Sequence, residues 1–232
     1  MREIIFDTET TGLDAEVDRI IELGGVELVN RFPTGRTIHF YINPDGRAIH
    51  AEAQAVHGIS IEQLTGKPVF AEIADEFIEF IDGAKLVAHN AGFDMAFINA
   101  ELKRLGRAAV EQDFVIDTLA LARRKHPMGP NSLDALCRRY GIDNSRRTKH
   151  GALLDSELLA EVYIELIGGK QAALLLETAV NSAVSDSGEA IVVTIRPRPT
   201  PLAPRISEAE VQAHAALVER LGEKAIWAKL SD

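Results

Sequence analysis

The alternation of apolar and polar positions at the start of the chain predicts three β-strands. They cover residues 2–7, 19–30 and 36–43. Pro33 and Gly35 mark a turn between the last two, and turn residues between short apolar runs are typical of hairpins. We therefore expect the first three strands to form an antiparallel meander.

Farther along, segments with the spacing of amphipathic helices alternate with short apolar strands. Helices are predicted as short pieces over 52–65, then over 70–82, from near Asp94 to Leu105, from residue 118, from near Ser132 and over 152–167, and strands over 85–88 and 113–116. Gly168 and Gly169 end the last helix. Strands that alternate with helices predict an α/β sheet whose functional groups gather along one edge.

Three short motifs place four carboxylates and a histidine among these elements. Asp7 and Glu9 lie in DTETTG, Asp94 lies in HNAGFD, and His150 and Asp155 lie in HGALLD. Asp7 ends an apolar run, where an unpaired charge is costly. Hard divalent cations bind carboxylate oxygens, and two such ions can hydrolyse a phosphodiester. The set predicts a two-metal phosphodiesterase in which His150, which titrates near neutral pH, takes the proton from water.

The motifs resemble those of the DEDD exonucleases of the ribonuclease H-like superfamily, in the branch whose base is histidine. His150 precedes Asp155 by five positions, whereas the sister branch has a tyrosine four positions before its last aspartate. The resemblance implies a ribonuclease H-like mixed sheet flanked by helices and two divalent cations, Mg²⁺ or Mn²⁺. It implies that Asp7 bridges both ions, that Glu9 and Asp155 complete the site of the nucleophilic water, and that Asp94 supports the second ion.

The same resemblance implies release of nucleoside 5′-monophosphates from the single-stranded 3′ end of DNA, in the 3′ to 5′ direction. In related enzymes the backbone after the first motif reaches the terminal 3′-hydroxyl, and an apolar side chain, here Leu13, wedges between the last bases. His57 in VHGIS resembles a residue at the rim of the site. The substrate-binding set is therefore expected to be Asp7, Glu9, Thr10, Thr11, Gly12, Leu13, His57 and Asp155. Stacking of this kind is tolerant of sequence, as the removal of mismatched nucleotides requires.

The net charge of the chain and its distribution indicate how the protein could bind nucleic acid. The net charge of −10 argues against a protein that clings to nucleic acid by itself. Residues 123–150 are the exception, with eight Lys or Arg side chains against Asp134 and Asp143. This basic stretch predicts contacts with nucleic-acid phosphates, and the acidic remainder suits an enzyme that a partner delivers to its substrate.

The cysteine count and the hydropathy of the chain indicate the cellular compartment of the protein. Cys137 is the single cysteine, which excludes an intramolecular disulfide. We see no charged leader before an apolar run and no long apolar segment, so we expect a cytoplasmic protein that does not engage a membrane.

Composition divides the chain into an exonuclease domain over 1–180, a flexible Ser- and Pro-rich linker over 181–206 and a helical segment over 207–232. The segment QAALLL (171–176) resembles a sliding-clamp-binding peptide. Gln171 would be its polar anchor, and Leu174, Leu175 and Leu176 would be its apolar plug. The alternative is that this segment is a helix end that covers the core.

The final segment predicts a docking helix. Ser207 and Glu210 have the spacing of a capping box. An isolated tail could not bury Trp227, the only tryptophan, so we expect it to form an interface together with Leu217 and Leu221. The family resemblance implies that the partner is the polymerase subunit of a replicative DNA polymerase.

Three functional hypotheses remain open at this point. The first is a proofreading DNA exonuclease that its tail attaches to a replicative polymerase. The second is a free-standing exoribonuclease of the same superfamily, which would share every catalytic residue but would not need the linker and terminal helix. The third is a non-catalytic scaffold between clamp and polymerase, and the intact set of carboxylates and histidine argues against it.

Overall fold

A computed structural model describes residues 1–169 and 206–222. Its strands within that part form one mixed sheet in the order β3-β2-β1-β4-β5. They are β1 (Arg2–Thr10), β2 (Ile20–Val29), β3 (Phe32–Tyr41), β4 (Lys85–Ala88) and β5 (Val115–Asp117). The first three strands are antiparallel, while β4 runs parallel to β1 and β5 runs parallel to β4. The predicted fold class, a mixed sheet with an antiparallel first half, is confirmed.

Helices flank this sheet and follow the predicted order. They are α1 (Ala51–His57), α2 (Phe70–Ile81), α3 (Ala91–Arg104), α4 (Thr118–Lys125), α5 (Leu133–Tyr140) and α6 (Ala152–Leu166). A separate compact unit contains α7 (Glu208–Leu221). The segment 52–65 is α1 and a separate 3₁₀ turn, Glu62–Leu64, because Gly58 ends α1 with a φ of 75°. The strand expected at 113–116 begins only at Val115, after a second 3₁₀ turn.

The prediction for the β2–β3 turn was wrong. The turn lies at Asn30 and Arg31, whose φ values of 52° and 71° are those of a two-residue hairpin turn. Pro33 and Gly35 lie inside β3 instead. Proline is tolerated there because β3 is an edge strand and one of its two sides forms no ladder.

Successive residues of β1 face opposite sides of the sheet, and both sides are buried. Ile4 and Phe6 pack in one cluster with apolar residues of α2 and α3. Ile5 packs in another with apolar residues of α5 and α6. By the same period of two, Asp7 and Glu9 follow Ile5 on the side covered by α6.

Candidate active site

The four predicted carboxylates come from three elements that meet at one edge of the sheet. Asp7 and Glu9 lie at the C-terminal end of β1, which extends three residues beyond the predicted strand. Asp94 lies in the first turn of α3, directly after β4, and Asp155 lies in the first turn of α6. Because β1 and β4 are parallel, their carboxyl ends lie side by side, and α3 therefore begins beside Asp7.

A close approach of α6 to β2 brings in Asp155. Gly24 is the β2 partner of Asp7, and a Cβ atom at Gly24 would lie 2.2 Å from the backbone nitrogen of Leu153. The Ser156 hydroxyl donates to the Gly24 carbonyl at 3.0 Å. Sequence analysis missed this role of Gly24, although a glycine pair inside a strand pattern signals close backbone approach.

The histidine joins the carboxylates. The ligand atoms of Glu9, His150 and Asp155 all lie within 4.8 Å of one another. His150 Nδ1 is 3.5 Å from Asp155 Oδ2. Asp155 is buried, whereas the His150 side chain is 46% exposed and can meet a solvent molecule. The structure thus brings the predicted base next to two of the predicted metal ligands.

Asp94 is oriented by the neighbouring strand. Its Oδ1 accepts hydrogen bonds from the Thr8 backbone N–H at 3.1 Å and from the Thr8 hydroxyl at 2.7 Å. These bonds leave Oδ2 available to another ligand. Thr8 was not among the predicted site residues, because nothing in a single sequence indicates which strand residue will meet α3.

Burial and mutual repulsion raise the pKa values of several of these carboxylates. Burial, together with repulsion from Asp94, Glu9 and Asp155, raises the pKa of Asp7 well above its ordinary value. Burial and the neighbouring Glu22 raise the pKa of Glu9 to about 8. Burial also raises the pKa of Asp94 to about 7. A crowded set of oxygen donors that repel one another fits hard divalent cations.

Arg147 binds the carboxylate of Asp155. Its Nε and Nη2 donate to the two oxygens of Asp155 at 2.6 and 2.7 Å, and its Nη1 donates to Asp134 at 2.9 Å. Nη2 also lies 3.0 Å from His150 Nδ1. The bidentate contact fixes the carboxylate plane of Asp155, so Arg147 positions a predicted ligand. Sequence analysis saw Arg147 only as one member of the basic stretch.

Other cations of that stretch make contacts within the protein. Lys125 donates to main-chain carbonyls at the end of α6, Lys149 to a carbonyl of α1, and Arg139 to the carbonyl of Pro130. Arg123 lies with Arg147 in the wall of a groove that runs up to Asp7. Contact of the whole stretch with nucleic-acid phosphates stays a prediction.

His150 is kept in its neutral form. Burial and the nearby Arg147 guanidinium lower its pKa, and the opposing effect of Asp155 does not cancel them. Its backbone N–H faces the Val56 carbonyl of α1 at 3.4 Å. An imidazole that is neutral near pH 7 can accept a proton, which the predicted role requires.

A cavity opens beside the carboxylates and contains much of the predicted substrate-binding set. Its lining includes Asp7, Glu9, Thr10, Gly12, Leu13, His57, Asp94 and His150. Leu13, the predicted wedge, lines this cavity and is 85% exposed. Thr11 is fully buried and does not line the cavity: its hydroxyl contacts Asp18 and the backbone of Arg19, and its backbone N–H and carbonyl bond to Arg19 and His50.

His57 also lines that cavity. Its Nδ1 accepts the Ile59 backbone N–H at 2.9 Å, so in the neutral ring the proton is on Nε2. Burial lowers the pKa of His57 more than Glu22 and the Thr10 backbone raise it, and the ring is therefore neutral. Nε2 is buried and has no partner at normal hydrogen-bond geometry within the described residues.

The predicted C-terminal contacts are only partly within the described residues. Gln171, Leu174, Leu175, Leu176 and Trp227 lie outside them. The capping box of Ser207 and Glu210 is formed at the start of α7, and Leu217 and Leu221 are 42% and 41% exposed on that helix. Polymerase and clamp binding stay predictions. In the described part of the chain, no helix is both long enough and apolar enough to span a membrane.

Comparison with known proteins gives one consistent result. The family model described as "Exonuclease" matches residues 4–163. DNA polymerase III subunit epsilon of Rickettsia conorii is 46% identical over 95% of this chain and 96% of its own. The subunit of the same name from Escherichia coli K12 is 44% identical over 97% of both chains. Among solved structures, exonuclease X in complex with 5′ overhanging duplex DNA is 28% identical, with a TM-score of 0.56 over 72% of this chain and 90% of its own.

Proposed function

The chain belongs to the exonuclease family, with relatives among the DNA polymerase III epsilon subunits, and on that premise we propose that it proofreads newly made DNA. It is a metal-dependent exonuclease. In our proposal it removes mismatched nucleotides from the 3′ end of the primer strand. The observation that carries this proposal is the meeting of Glu9, His150 and Asp155 beside Asp7 and Asp94, in a chain similar to epsilon subunits over nearly its whole length.

Four carboxylates would hold the metal ions. They are Asp7, Glu9, Asp94 and Asp155. Two ions, Mg²⁺ or Mn²⁺, would when bound stabilise the charge that develops on the attacked phosphate and acidify the attacking water. Arg147 and Thr8 hold Asp155 and Asp94 in place for this task.

His150 acts as the general base. Its neutral imidazole accepts the proton of the attacking water, and it is exposed enough to release that proton to solvent. The water oxygen forms a bond to phosphorus, the bond to the 3′ oxygen of the preceding nucleotide breaks, and that oxygen takes a proton from solvent. The products are a nucleoside 5′-monophosphate and a strand with a new 3′-hydroxyl.

The cavity beside the carboxylates receives the terminal nucleotide. Thr10 and Gly12 line it with backbone that can reach the 3′-hydroxyl, and Leu13 can separate the last two bases. His57, which also lines the cavity, would contact the terminal nucleotide. A frayed mismatched end enters such a cavity more readily than a paired end, because unpairing costs it less.

The family relationship also suggests protein partners. We propose that the DNA polymerase III alpha subunit binds the C-terminal segment through Leu217, Leu221 and Trp227, and that the sliding clamp binds residues 171–176. The exposure of Leu217 and Leu221 on α7 supports the first contact. The protein would then work within the bacterial replisome, and residues 1–180, 181–206 and 207–232 would serve as catalytic domain, linker and anchor.

Single-nucleotide release separates the three functional hypotheses. We expect the full chain with Mg²⁺ to release nucleotides from a mismatched primer–template faster than from a matched one, and faster than from RNA. Degradation of RNA alone would favour the free-standing exoribonuclease. Equal inactivity of the wild type and Asp7→Ala would favour the scaffold. The assay needs only purified protein and end-labelled substrates.

Truncation tests the anchor. Deletion of residues 181–232 is expected to leave hydrolysis of free single-stranded DNA nearly unchanged, because the five site residues lie between Asp7 and Asp155. The same deletion should abolish co-purification with the alpha subunit. Undiminished binding of the truncated chain to that subunit would contradict the assignment of 207–232.

A further inference from the structure

Asp18 is a buried carboxylate outside the metal site, in the loop that joins β1 to β2, and only 1% of it is exposed. Its Oδ1 accepts from the Thr11 hydroxyl at 3.1 Å and from Arg47 Nε at 2.9 Å. Its Oδ2 accepts from the Asp14 backbone N–H at 3.1 Å. Burial raises the pKa of Asp18, but the hydrogen bonds from Asp14 and Arg47 outweigh burial and keep the pKa below its ordinary value.

These contacts fix the loop that carries Leu13. A Cβ atom at Gly12 would lie 2.3 Å from Asp18 Oδ2, so the loop backbone passes directly against the carboxylate. The Thr11 backbone N–H donates to the Arg19 carbonyl at 2.9 Å, which closes the base of the loop. Leu13 is therefore presented to the cavity from a backbone that is held on both sides.

Asp18 also contacts the segment that leads into α1. The His50 backbone N–H donates to the Thr11 carbonyl at 2.8 Å, and His50 Nε2 lies 3.4 Å from Asp18 Oδ1. Arg47 and His50 lead directly into α1, whose residues Ala53, Val56 and His57 line the same cavity as Leu13. One carboxylate thus joins two segments that both line the cavity in which the terminal nucleotide would lie.

We propose that Asp18 is a positioning residue that holds these two segments in place relative to each other and so determines how tightly the terminal nucleotide is held. It acts through Thr11 and Arg47 and touches none of the groups that carry out hydrolysis. A cavity that is ordered before the strand end arrives avoids the entropic cost of ordering it on binding. The inference rests on the proposed function, because it takes the cavity to be the site of the terminal nucleotide.

Steady-state kinetics on a single-stranded oligodeoxynucleotide, with the full chain, tests this role. Asp18→Ala is expected to raise KM roughly tenfold or more while kcat stays within about twofold, as for the loss of hydrogen bonds to a charged group that serves binding alone. Asp18→Asn should be intermediate, since it keeps an acceptor for Thr11 but loses the charge that pairs with Arg47. Glu16→Gln, an exposed carboxylate of the same loop, is the matched control and should leave both constants unchanged.

Arg47→Gln keeps the inference testable if Asp18→Ala does not fold. Arg47 is part-exposed and joins Asp18 from the α1 side, so its loss should reproduce the rise in KM. A fall in kcat or in melting temperature with KM unchanged, in either variant, would show a purely structural role and overturn the inference. A wild type that hydrolyses no DNA end would overturn the proposed function first, and this inference with it.

Discussion

Asp7→Asn is expected to lower the rate of hydrolysis at least about 10³-fold, because in the proposed mechanism Asp7 helps to hold the metal ions, which stabilise the transition state by several kcal/mol. Asp7 lies where the other carboxylates converge, and their charges, with burial, raise its pKa. Nucleotide release from single-stranded DNA measures the effect. Asp75→Asn, an exposed carboxylate on α2, is the control and should be as active as the wild type.

Asp7→Asn should not destabilise the protein. A carboxyl group whose pKa is raised by folding binds protons more tightly in the folded state, so it weakens the fold above its unfolded pKa and this effect is lost as the pH falls. In EDTA the melting temperature of the wild type should therefore rise as the pH is lowered from 8 to 5, the range over which Glu9, with a pKa of about 8, takes up its proton. Asp7→Asn should melt no lower than the wild type at pH 8. A marked loss of stability would mean that Asp7 is a structural residue.

His150→Ala is expected to lower kcat by about 10²–10⁴, the range for the loss of a general base. The histidine is the most exposed of the five site residues and is neutral near pH 7, which suits transfer of a proton to solvent. Binding of Mn²⁺, measured by titration calorimetry, should be retained because four carboxylates remain. His126→Ala is the control, since His126 contacts Tyr140 and does not line the cavity.

Loss of Mn²⁺ affinity in His150→Ala would contradict the role of base. His150 lies within ligand distance of Glu9 and Asp155, so the geometry alone permits ligation. The variant therefore distinguishes a histidine that holds an ion from one that receives a proton. Retained affinity with a lowered kcat is the result expected of a base.

Features that depend on local sequence were predictable. Periodicity gave α2 and β4 nearly residue by residue, because their apolar faces follow the period of each structure. The motifs gave the carboxylates and histidine that the structure brings together. To bring these five residues together, the fold has only to place the C-terminal end of β1 next to the N-terminal ends of α3 and α6.

Features that depend on which elements meet in space were not predictable. Asp155 is held by Arg147, which is nearby in sequence, but the bidentate contact depends on the path of the loop before α6. Thr8 meets Asp94 from 86 positions away. The Asn30 turn was missed because proline and glycine, which usually mark turns, lie inside the edge strand β3. The contacts of Arg147 and Thr8 are tertiary interactions, which no local residue pattern predicts.

The most direct measurement follows the digestion of a single-stranded oligodeoxynucleotide that carries a fluorescent label at its 5′ end, with Mg²⁺ or with EDTA. With Mg²⁺ the labelled strand should shorten one nucleotide at a time from its 3′ end, with release of deoxynucleoside 5′-monophosphates, and EDTA should stop the reaction. Early release of the labelled nucleotide, cuts within the strand, or hydrolysis that persists in EDTA would contradict a metal-dependent 3′–5′ exonuclease.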